Sequence, residues 1–241
     1  RANRNLHSTF FKTTEDFLNT IDSSSFHQEC ILIKGARKYG FEKIAKRLQE
    51  RIHQTVMEIN LNALVHNYKA YQSQLQKSTR VMAMVKAFSY GSGSFEIANL
   101  LQFHKVDYLT VAYADEGVEL RKAGIALPIM VMNAEEITFD VMLQYNLEPE
   151  LFSFGIFDAF ERYVRQSGLH HYPVHLKLDT GMRRLGFEET DIPALCERLR
   201  ATQCFKVQSV FSHLAASDSP EHDGFTLQQA DSFTRACALI Q

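Results

Sequence analysis

The sequence predicts an α/β fold built on a parallel sheet, and three observations lead to this prediction. The chain has 241 residues, 45% of them hydrophobic and 22% charged, which is enough to bury a large core. Between residues 81 and 212, six apolar strands alternate with amphipathic helices, a pattern typical of parallel sheets. Reactive side chains follow three of these strands, as catalytic groups do in a (β/α)8 TIM-type barrel. Periodicity alone leaves an open, doubly wound sheet as the alternative.

The predicted elements of this region follow in a regular order. A long helix over 61–75 comes before the first strand. The predicted strands are Val81–Val85, Tyr108–Val111, Pro128–Met132, Glu148–Phe152, Val174–Leu178 and Val207–Ser212. Helices are predicted over 94–103, 114–123, 135–145, 155–167, 191–200 and 226–241, so that each strand is followed by a helix.

The segment 1–54 has a shorter α/β pattern of its own. Strands are predicted at His7–Phe11 and Cys30–Ile33, a helix capped by Thr13 or Thr14 lies between them, and a second helix begins at Phe41. Two such units make a thin core. The segment is therefore predicted to be the end of another α/β domain, which gives the chain two domains, 1–54 and 55–241.

Charge and composition narrow the classes of partner. The net charge of -2 favours a small molecule and does not predict nucleic acid binding. The longest apolar stretch, Ile125–Met132, has eight residues, far short of the roughly 20 that span a bilayer. The four cysteines show no C-x-x-C spacing, and the chain opens with no signal peptide, so we expect a cytoplasmic protein. No metal-binding motif is present, and no metal site is predicted.

Two lysines lie where burial of a charge is costly. Lys86 directly follows the first strand, where desolvation would favour a neutral amine able to form a Schiff base. A side chain that reaches back to solvent is the alternative for Lys86. Lys177 shares one strand face with Asp179, and it points into the barrel if the opposite, apolar face meets the helices. It then needs either an anionic partner, for which Asp179 is a candidate, or a modification that removes its charge.

Other polar residues lie at the same predicted strand ends. Tyr90 belongs to a Gly/Ser-rich turn that leads into a helix, where backbone N–H groups can bind an anion. Arg183 and Arg184 follow a Thr-Gly turn, and a guanidinium group suits a carboxylate or a phosphate. His213 follows the sixth strand beside small residues. These positions predict one site at the carboxyl ends of the strands.

Several motifs follow one another in order from about residue 55 to the end of the chain. They are Glu58-Ile59-Asn60-Leu61, Ala63-Leu64, His66-Asn67-Tyr68, Val85-Lys86-Ala87, Tyr90-Gly91, Asp115-Glu116-Gly117, Leu176-Lys177-Leu178-Asp179-Thr180-Gly181-Met182, Arg184-Leu185-Gly186-Phe187 and Ser212-His213. Together they resemble the N-terminal barrel of alanine racemases, which are fold-type-III enzymes dependent on pyridoxal 5'-phosphate.

The resemblance implies a role for each site residue. Lys86 would carry pyridoxal phosphate as an internal aldimine and act as one of two acid/base groups on the α-carbon of alanine. Tyr90 would bind the cofactor phosphate, and Arg184 would contact the phenolic oxygen of the cofactor and the substrate carboxylate. Lys177 corresponds to a lysine that is often carbamylated in this family, and His213 would lie beside the pyridine ring.

The resemblance also implies that parts of the enzyme lie outside this chain. The second acid/base, a tyrosine of a following β-domain, would act across a homodimer interface, and the partner of the pyridine nitrogen belongs to later strands. Residues 55–241 number 187, whereas complete barrels of this type run to about 250. We therefore expect a barrel truncated after about six βα units, and a truncated chain that is inactive by itself.

Two other functions remain open for a barrel of this kind. One is a non-catalytic carrier of pyridoxal phosphate, and the other is a fold-type-III amino-acid decarboxylase. The Asp179–Arg184 segment belongs to the racemase pattern and disfavours the carrier, and the Lys-x-Asp-Thr-Gly-Met segment over 177–182 disfavours the decarboxylase.

The segment 1–54 resembles a different family, the Mur ligases that add D-alanyl-D-alanine to a UDP-muramoyl tripeptide. The resemblance depends on Ile31–Arg37 followed by Phe41-Glu42-Lys43, which is similar to a late strand, turn and helix of the Rossmann-like C-terminal ligase domain. A racemase makes the D-alanine that such a ligase consumes as a dipeptide. The chain is therefore predicted to be a fragment of a bifunctional enzyme of peptidoglycan synthesis.

Overall fold

The structure is a computed structural model that describes residues 8–22, 26, 30–48, 58–91 and 93–240. The chain divides into two compact units, Arg1–Met57 and Glu58–Gln241. The domain boundary predicted after residue 54 lies within 49–57, outside the described residues, and it stays a prediction.

The described part of the first unit contains two short helices, α1 (Thr14–Thr20) and α2 (Glu42–Leu48). The predicted cap of α1 is confirmed, because the Thr13 side chain accepts a hydrogen bond from the Asp16 backbone N–H and the Asp16 carboxylate accepts one in return. This capping box satisfies N–H groups that the first helical turn leaves free. A short 3-10 helix, Arg37–Tyr39, precedes α2.

The strand predicted at Cys30–Ile33 is wrong. Residues 30–33 have no regular secondary structure, and Leu32 is 87% exposed. A strand forms only where a neighbour pairs with its backbone, and none of the described residues of the first unit pairs in this way. The described part of the other predicted strand, residues 8–11, is likewise irregular, and His7 lies outside the described residues.

The second unit is built from six parallel strands and the helices that connect them. The strands are β1 (Met82–Met84), β2 (Tyr108–Val111), β3 (Ile129–Val131), β4 (Leu147–Leu151), β5 (Tyr172–Lys177) and β6 (Phe205–Phe211). The helices are α3 (Leu61–Gln72), α4 (Lys86–Gly91), α5 (Ser94–Phe103), α6 (Ala114–Lys122), α7 (Phe139–Gln144), α8 (Phe154–Gln166), α9 (Ile192–Ala201) and α10 (Asp223–Ile240). Further 3-10 helices are Glu136–Thr138, Glu189–Asp191 and Pro220–His222.

The six strands lie in one sheet in the order β1-β2-β3-β4-β5-β6, and every neighbouring pair is parallel. A doubly wound sheet reverses its strand order at a switch point, whereas a barrel adds each strand beside the previous one. The sequential order therefore decides between the two predicted arrangements in favour of the barrel type. All six strands are present as predicted, but the helix predicted over 135–145 is shorter and starts with a 3-10 turn.

The two faces of the sheet differ in polarity. Leu147 lies against Gly117 of α6, since a Cβ added to Gly117 would come within 2.9 Å of the Leu147 side chain. Because side chains alternate along a strand, Glu148 and Glu150 point to the opposite, inner face. The core between the strands and the helices is apolar and contains, among others, Leu109, Ile129, Phe160 and Leu176. The inner face of the sheet thereby holds the buried charged and titratable side chains Glu148, Glu150, His175 and Lys177.

The polar interior has two levels. The lower polar layer consists of Tyr108, Glu148, His175 and Ser209, which contact one another. The upper polar layer consists of Glu150 and Lys177, one alternation step closer to the carboxyl ends of the strands. The inward direction predicted for Lys177 is thus confirmed.

Candidate functional site

Lys86 begins α4, directly after the buried Val85 at the end of β1. The backbone of this segment is unusual, because Ala87, Ser89 and Tyr90 have φ values of 52°, 52° and 58°. Left-handed angles cost a non-glycine residue roughly 1–2 kcal/mol each. Such strain persists only where surrounding contacts hold it, and it is concentrated at functional sites.

Glu116 of α6 holds the strained segment in place. Its Oε1 accepts a hydrogen bond of 2.6 Å from the backbone N–H of Ala87, next to Lys86. Its Oε2 accepts hydrogen bonds from the N–H groups of Ala112 and Tyr113, at 2.7 and 3.1 Å. Glu116 belongs to the Asp115-Glu116-Gly117 motif, but no role was predicted for it from the sequence. A glutamate at the third position of a helix is a known capping signal and could have indicated one.

Lys177 lies in the upper polar layer with its side chain 4% exposed. Its Nζ atom is 3.4 Å from Oε1 of Glu150, whose side chain is fully buried. The prediction that Asp179 is the anionic partner of Lys177 is wrong. The Asp179 carboxylate accepts hydrogen bonds from the backbone N–H groups of Gly181 (2.8 Å) and Arg183 (3.0 Å), so it shapes the turn after β5.

The loop that carries Arg184 folds back onto the end of β5. Phe187 donates its N–H to the carbonyl of Lys177 and accepts a hydrogen bond from the N–H of Asp179, both at 2.9 Å. Gly186 has φ 135°, and a Cβ there would lie 2.4 Å from the Asp179 nitrogen. Only glycine permits this approach of two backbones. The loop thereby holds Arg184 at the top of the barrel, with its side chain exposed.

His213 follows β6, and a buried glutamine fixes the segment after it. Gln229 of α10 is fully buried, and its Nε2 donates to the carbonyl of His213 (3.0 Å) and to the Thr180 hydroxyl (3.3 Å). Its Oε1 accepts from the N–H of Ala215 at 2.9 Å. Gln229 thus joins the loops after β5 and β6. This role could not be predicted from the sequence, because a polar residue in an amphipathic helix does not indicate which loops it will contact.

The four predicted residues Lys86, Lys177, Arg184 and His213 converge at the carboxyl ends of the strands. Burial lowers the pKa of the His213 imidazole, and the positive charges of Arg184, Lys177 and Lys86 lower it further. Cations from the ends of two strands, Lys86 after β1 and Lys177 and Arg184 at and after the end of β5, therefore act on one ring, which stays neutral at pH 7. Tyr90 lies in α4, the helix that begins at Lys86, and its hydroxyl donates a hydrogen bond to the Met84 sulfur at 3.1 Å.

The chemistry of this site suits an anionic ligand. Its cations exceed the one buried carboxylate of the upper polar layer, and guanidinium and ammonium groups bind carboxylates and phosphates. The Ser89 hydroxyl, in the strained segment after Lys86, is buried and has no hydrogen-bond partner among the described residues. Such an orphaned donor next to a half-buried lysine fits a ligand that carries acceptor oxygens.

Comparisons with known proteins agree with this geometry. The family model described as "Alanine racemase, N-terminal domain" matches residues 59–241. An alanine racemase of Thermodesulfovibrio yellowstonii is 34% identical over 181 residues, which are 74% of this chain and 48% of that protein. One from Synechocystis is 34% identical over 189 residues, which cover 77% of this chain and 50% of that protein. The chain spans about half the length of the curated relatives it matches.

The fold is also similar to solved structures. The alanine racemase of Clostridium difficile 630 superimposes with a TM-score of 0.70 at 29% sequence identity. The match covers 77% of this chain and 52% of that one. The similarity therefore concerns the barrel unit and leaves the other half of the solved chain without a counterpart here.

Proposed function

Because the chain belongs to the alanine racemase N-terminal domain family, we propose that the full-length protein interconverts L-alanine and D-alanine with pyridoxal 5'-phosphate as its cofactor. The observation that carries the proposal is the placement of Lys86, Lys177, Arg184 and His213 at the carboxyl ends of β1, β5 and β6. Relatives named alanine racemase support the assignment to amino-acid racemases, which are isomerases.

The residues at the strand ends fit the cofactor. The Lys86 amine would bind its aldehyde carbon, while the Tyr90 hydroxyl and the orphaned Ser89 hydroxyl lie in the segment available to its phosphate. When bound, pyridoxal phosphate supplies an electron sink that stabilises the negative charge left on the substrate α-carbon when its proton departs.

The remaining roles follow from position and charge. Lys86 would move a proton to or from the α-carbon, because an amine held beside the reacting atom can act as a general acid or base. Arg184 would bind the substrate carboxylate and the cofactor phenolic oxygen through its planar guanidinium group. His213, neutral at pH 7 because burial and three nearby cations lower its pKa, would lie beside the pyridine ring without adding a charge there.

Two experiments test this function. Borohydride reduction and digestion of the full-length protein loaded with pyridoxal phosphate should leave the pyridoxyl label on Lys86, and label on another lysine would contradict the site. Chiral chromatography after incubation with L-alanine should detect D-alanine. The Lys86→Ala variant should form none, whereas the matched surface variant Lys122→Ala should keep full activity. Cofactor binding without D-alanine would favour a carrier, and release of CO2 would favour a decarboxylase.

The quaternary state and location belong to the same proposal. We propose a cytoplasmic homodimer in which a tyrosine from outside this chain is the second acid/base. Cys30, Cys196, Cys204 and Cys237 are free thiols, as is usual in a reducing compartment. Over the described ranges, the structure contains no helix with the length and apolarity to cross a bilayer.

For the first unit we propose the C-terminal end of a Mur ligase domain in a bifunctional enzyme. The proposal depends on the sequence resemblance of Ile31–Arg37 and Phe41-Glu42-Lys43; in the structure the Phe41 ring lies so close to Gly35 that a Cβ there would be 2.4 Å from it. The test is ATP-dependent joining of D-alanyl-D-alanine to UDP-muramoyl tripeptide by the full-length protein. Racemisation without ligation would contradict the bifunctional assignment and leave the barrel assignment intact.

A further inference from the structure

Glu150 and Lys177 form an ion pair in the upper polar layer, inside the barrel. The Nζ–Oε1 distance is 3.4 Å, and the exposed fractions of the Lys177 and Glu150 side chains are 4% and 0%. The Lys177 Nζ also lies 5.2 Å from the centre of the Phe211 ring, which attracts a cation. Neither Glu150 oxygen has a hydrogen bond to any described residue, so the ammonium and Arg184 are the groups that offset its charge.

Both the Glu150 carboxylate and the Phe211 ring attract a cation at the position of the Lys177 Nζ atom. Carbamylation would require a neutral amine that attacks CO2, with formation of an N–C bond and release of one proton. The product would be an anion beside the Glu150 carboxylate in a site closed to water. Two like charges at this separation repel strongly where the dielectric constant is low.

We propose that Glu150 supplies the buried negative charge of this site, and that Lys177 therefore remains an unmodified ammonium instead of a carbamate. The inference depends on the proposed function for its catalytic meaning, since Arg184, the group assigned to the substrate carboxylate, is one of the cations that act on Glu150. Glu150 is a positioning residue, because it acts on Arg184 through the charge of the pair and touches no substrate atom.

The sequence carries the signal for this inference. Glu148 and Glu150 alternate with Leu147, Pro149 and Leu151 in a strand that is buried along its whole length. One glutamate is satisfied by His175 of the lower polar layer, at 2.9 Å. The other, Glu150, is left for Lys177. In the backbone register Glu150 lies opposite His175 of the neighbouring strand, and Lys177 is the next residue of that strand on the same face.

The test is 13C NMR of the full-length protein, loaded with pyridoxal phosphate, in 13C-bicarbonate at pH 8. Burial raises the pKa of Glu150 to about 7, with Lys177 and Arg184 opposing the rise, so the carboxylate is ionised at this pH. We expect no carbamate resonance from the wild type. We expect a resonance from Glu150→Gln, because the anion beside Lys177 is gone and a carbamate formed from its amine and CO2 no longer meets a like charge.

Glu148→Gln is the matched control, because it removes the charge of a glutamate that contacts His175 and not Lys177. It should give no resonance. The new signal of Glu150→Gln should vanish in the double variant with Lys177→Arg, and racemisation by Glu150→Gln should rise several-fold with added bicarbonate, whereas the wild type should not respond.

A wild-type resonance that Lys177→Arg removes would overturn the proposal, and this spectrum needs no folded Glu150 variant. Absence of a resonance from both the wild type and a folded Glu150→Gln would overturn the role given to Glu150. The spectra are independent of D-alanine formation. A wild type without carbamate and without racemisation would therefore contradict the proposed function alone.

Discussion

The two polar layers of the barrel interior share one architecture and differ in how well their groups are satisfied. In the lower polar layer Tyr108 donates to Glu148 at 3.1 Å, and the two ring nitrogens of His175 lie 2.9 Å from Glu148 and 2.7 Å from Ser209. In the upper polar layer one ion pair of 3.4 Å leaves the Glu150 oxygens without hydrogen bonds to described residues.

The difference distinguishes a layer that stabilises the fold from a layer that belongs to the candidate site. A fully satisfied buried network fixes the register of β2, β4, β5 and β6 at little cost. A partly satisfied network lowers the stability of the fold, and such networks are found where the buried charge has a function. The upper polar layer lies next to Lys86, Arg184 and His213, so the unsatisfied charge coincides with the candidate site.

Breaking the upper pair should have the largest effect on stability. Lys177→Met leaves Glu150 buried without its cation and should lower the free energy of unfolding by about 4 kcal/mol. The double variant Lys177→Met/Glu150→Leu should recover most of this loss in denaturant unfolding. Arg165→Ala, which breaks the exposed pair with Glu161, is the control and should change stability by less than about 1 kcal/mol. A double variant as unstable as the single one would contradict the comparison.

The loop above the upper polar layer should be nearly as sensitive. Gly186→Ala introduces a Cβ 2.4 Å from the Asp179 nitrogen and should cost about 3 kcal/mol, with loss of racemisation because Arg184 is displaced. Gly124→Ala is the matched control, since Gly124 also has positive φ (89°) but open space around it. If both variants lost the same free energy of unfolding in denaturant, the positive φ angle, and not the close approach of the two backbones, would explain the need for glycine at 186.

A substitution in the lower polar layer should lower stability and leave the candidate site unchanged. His175→Phe removes the partner of Glu148 and Ser209 and should cost about 2 kcal/mol, the penalty for leaving buried polar groups unsatisfied. The absorbance spectrum of bound pyridoxal phosphate and the KM for alanine should stay unchanged. A shifted cofactor spectrum in this variant would show that the two layers are coupled.

The smallest expected effect concerns the protonation of His213. Its pKa is lowered by burial and by three cations, so the unfolded chain, with a histidine pKa of about 6.5, binds the proton more readily. The folded state therefore loses stability relative to the unfolded chain as the pH falls below about 6.5 and down through the lowered pKa. In an NMR titration Lys86→Met should raise the His213 pKa, while Lys122→Met should not. No change with Lys86→Met would mean that Lys86 does not face the ring.

The sequence by itself determined the elements of the barrel and the positions where chemistry is possible. Alternation of apolar residues located all six strands, and the residues that follow the strands indicated Lys86, Arg184 and His213. These features are local, because strand and helix periods depend on neighbours a few residues away. The isolated Cys30–Ile33 segment shows the limit, since an apolar run becomes a strand only beside a partner.

Only the tertiary structure decided which groups face one another. Lys177 pairs with Glu150 on the neighbouring strand β4, and not with the nearby Asp179, whose carboxylate binds its own turn. Glu116 and Gln229 hold the site through contacts 29 and 49 residues apart in the chain. The physical reason is that strand alternation fixes the face on which a side chain lies, whereas strand order and register choose its neighbour across the sheet.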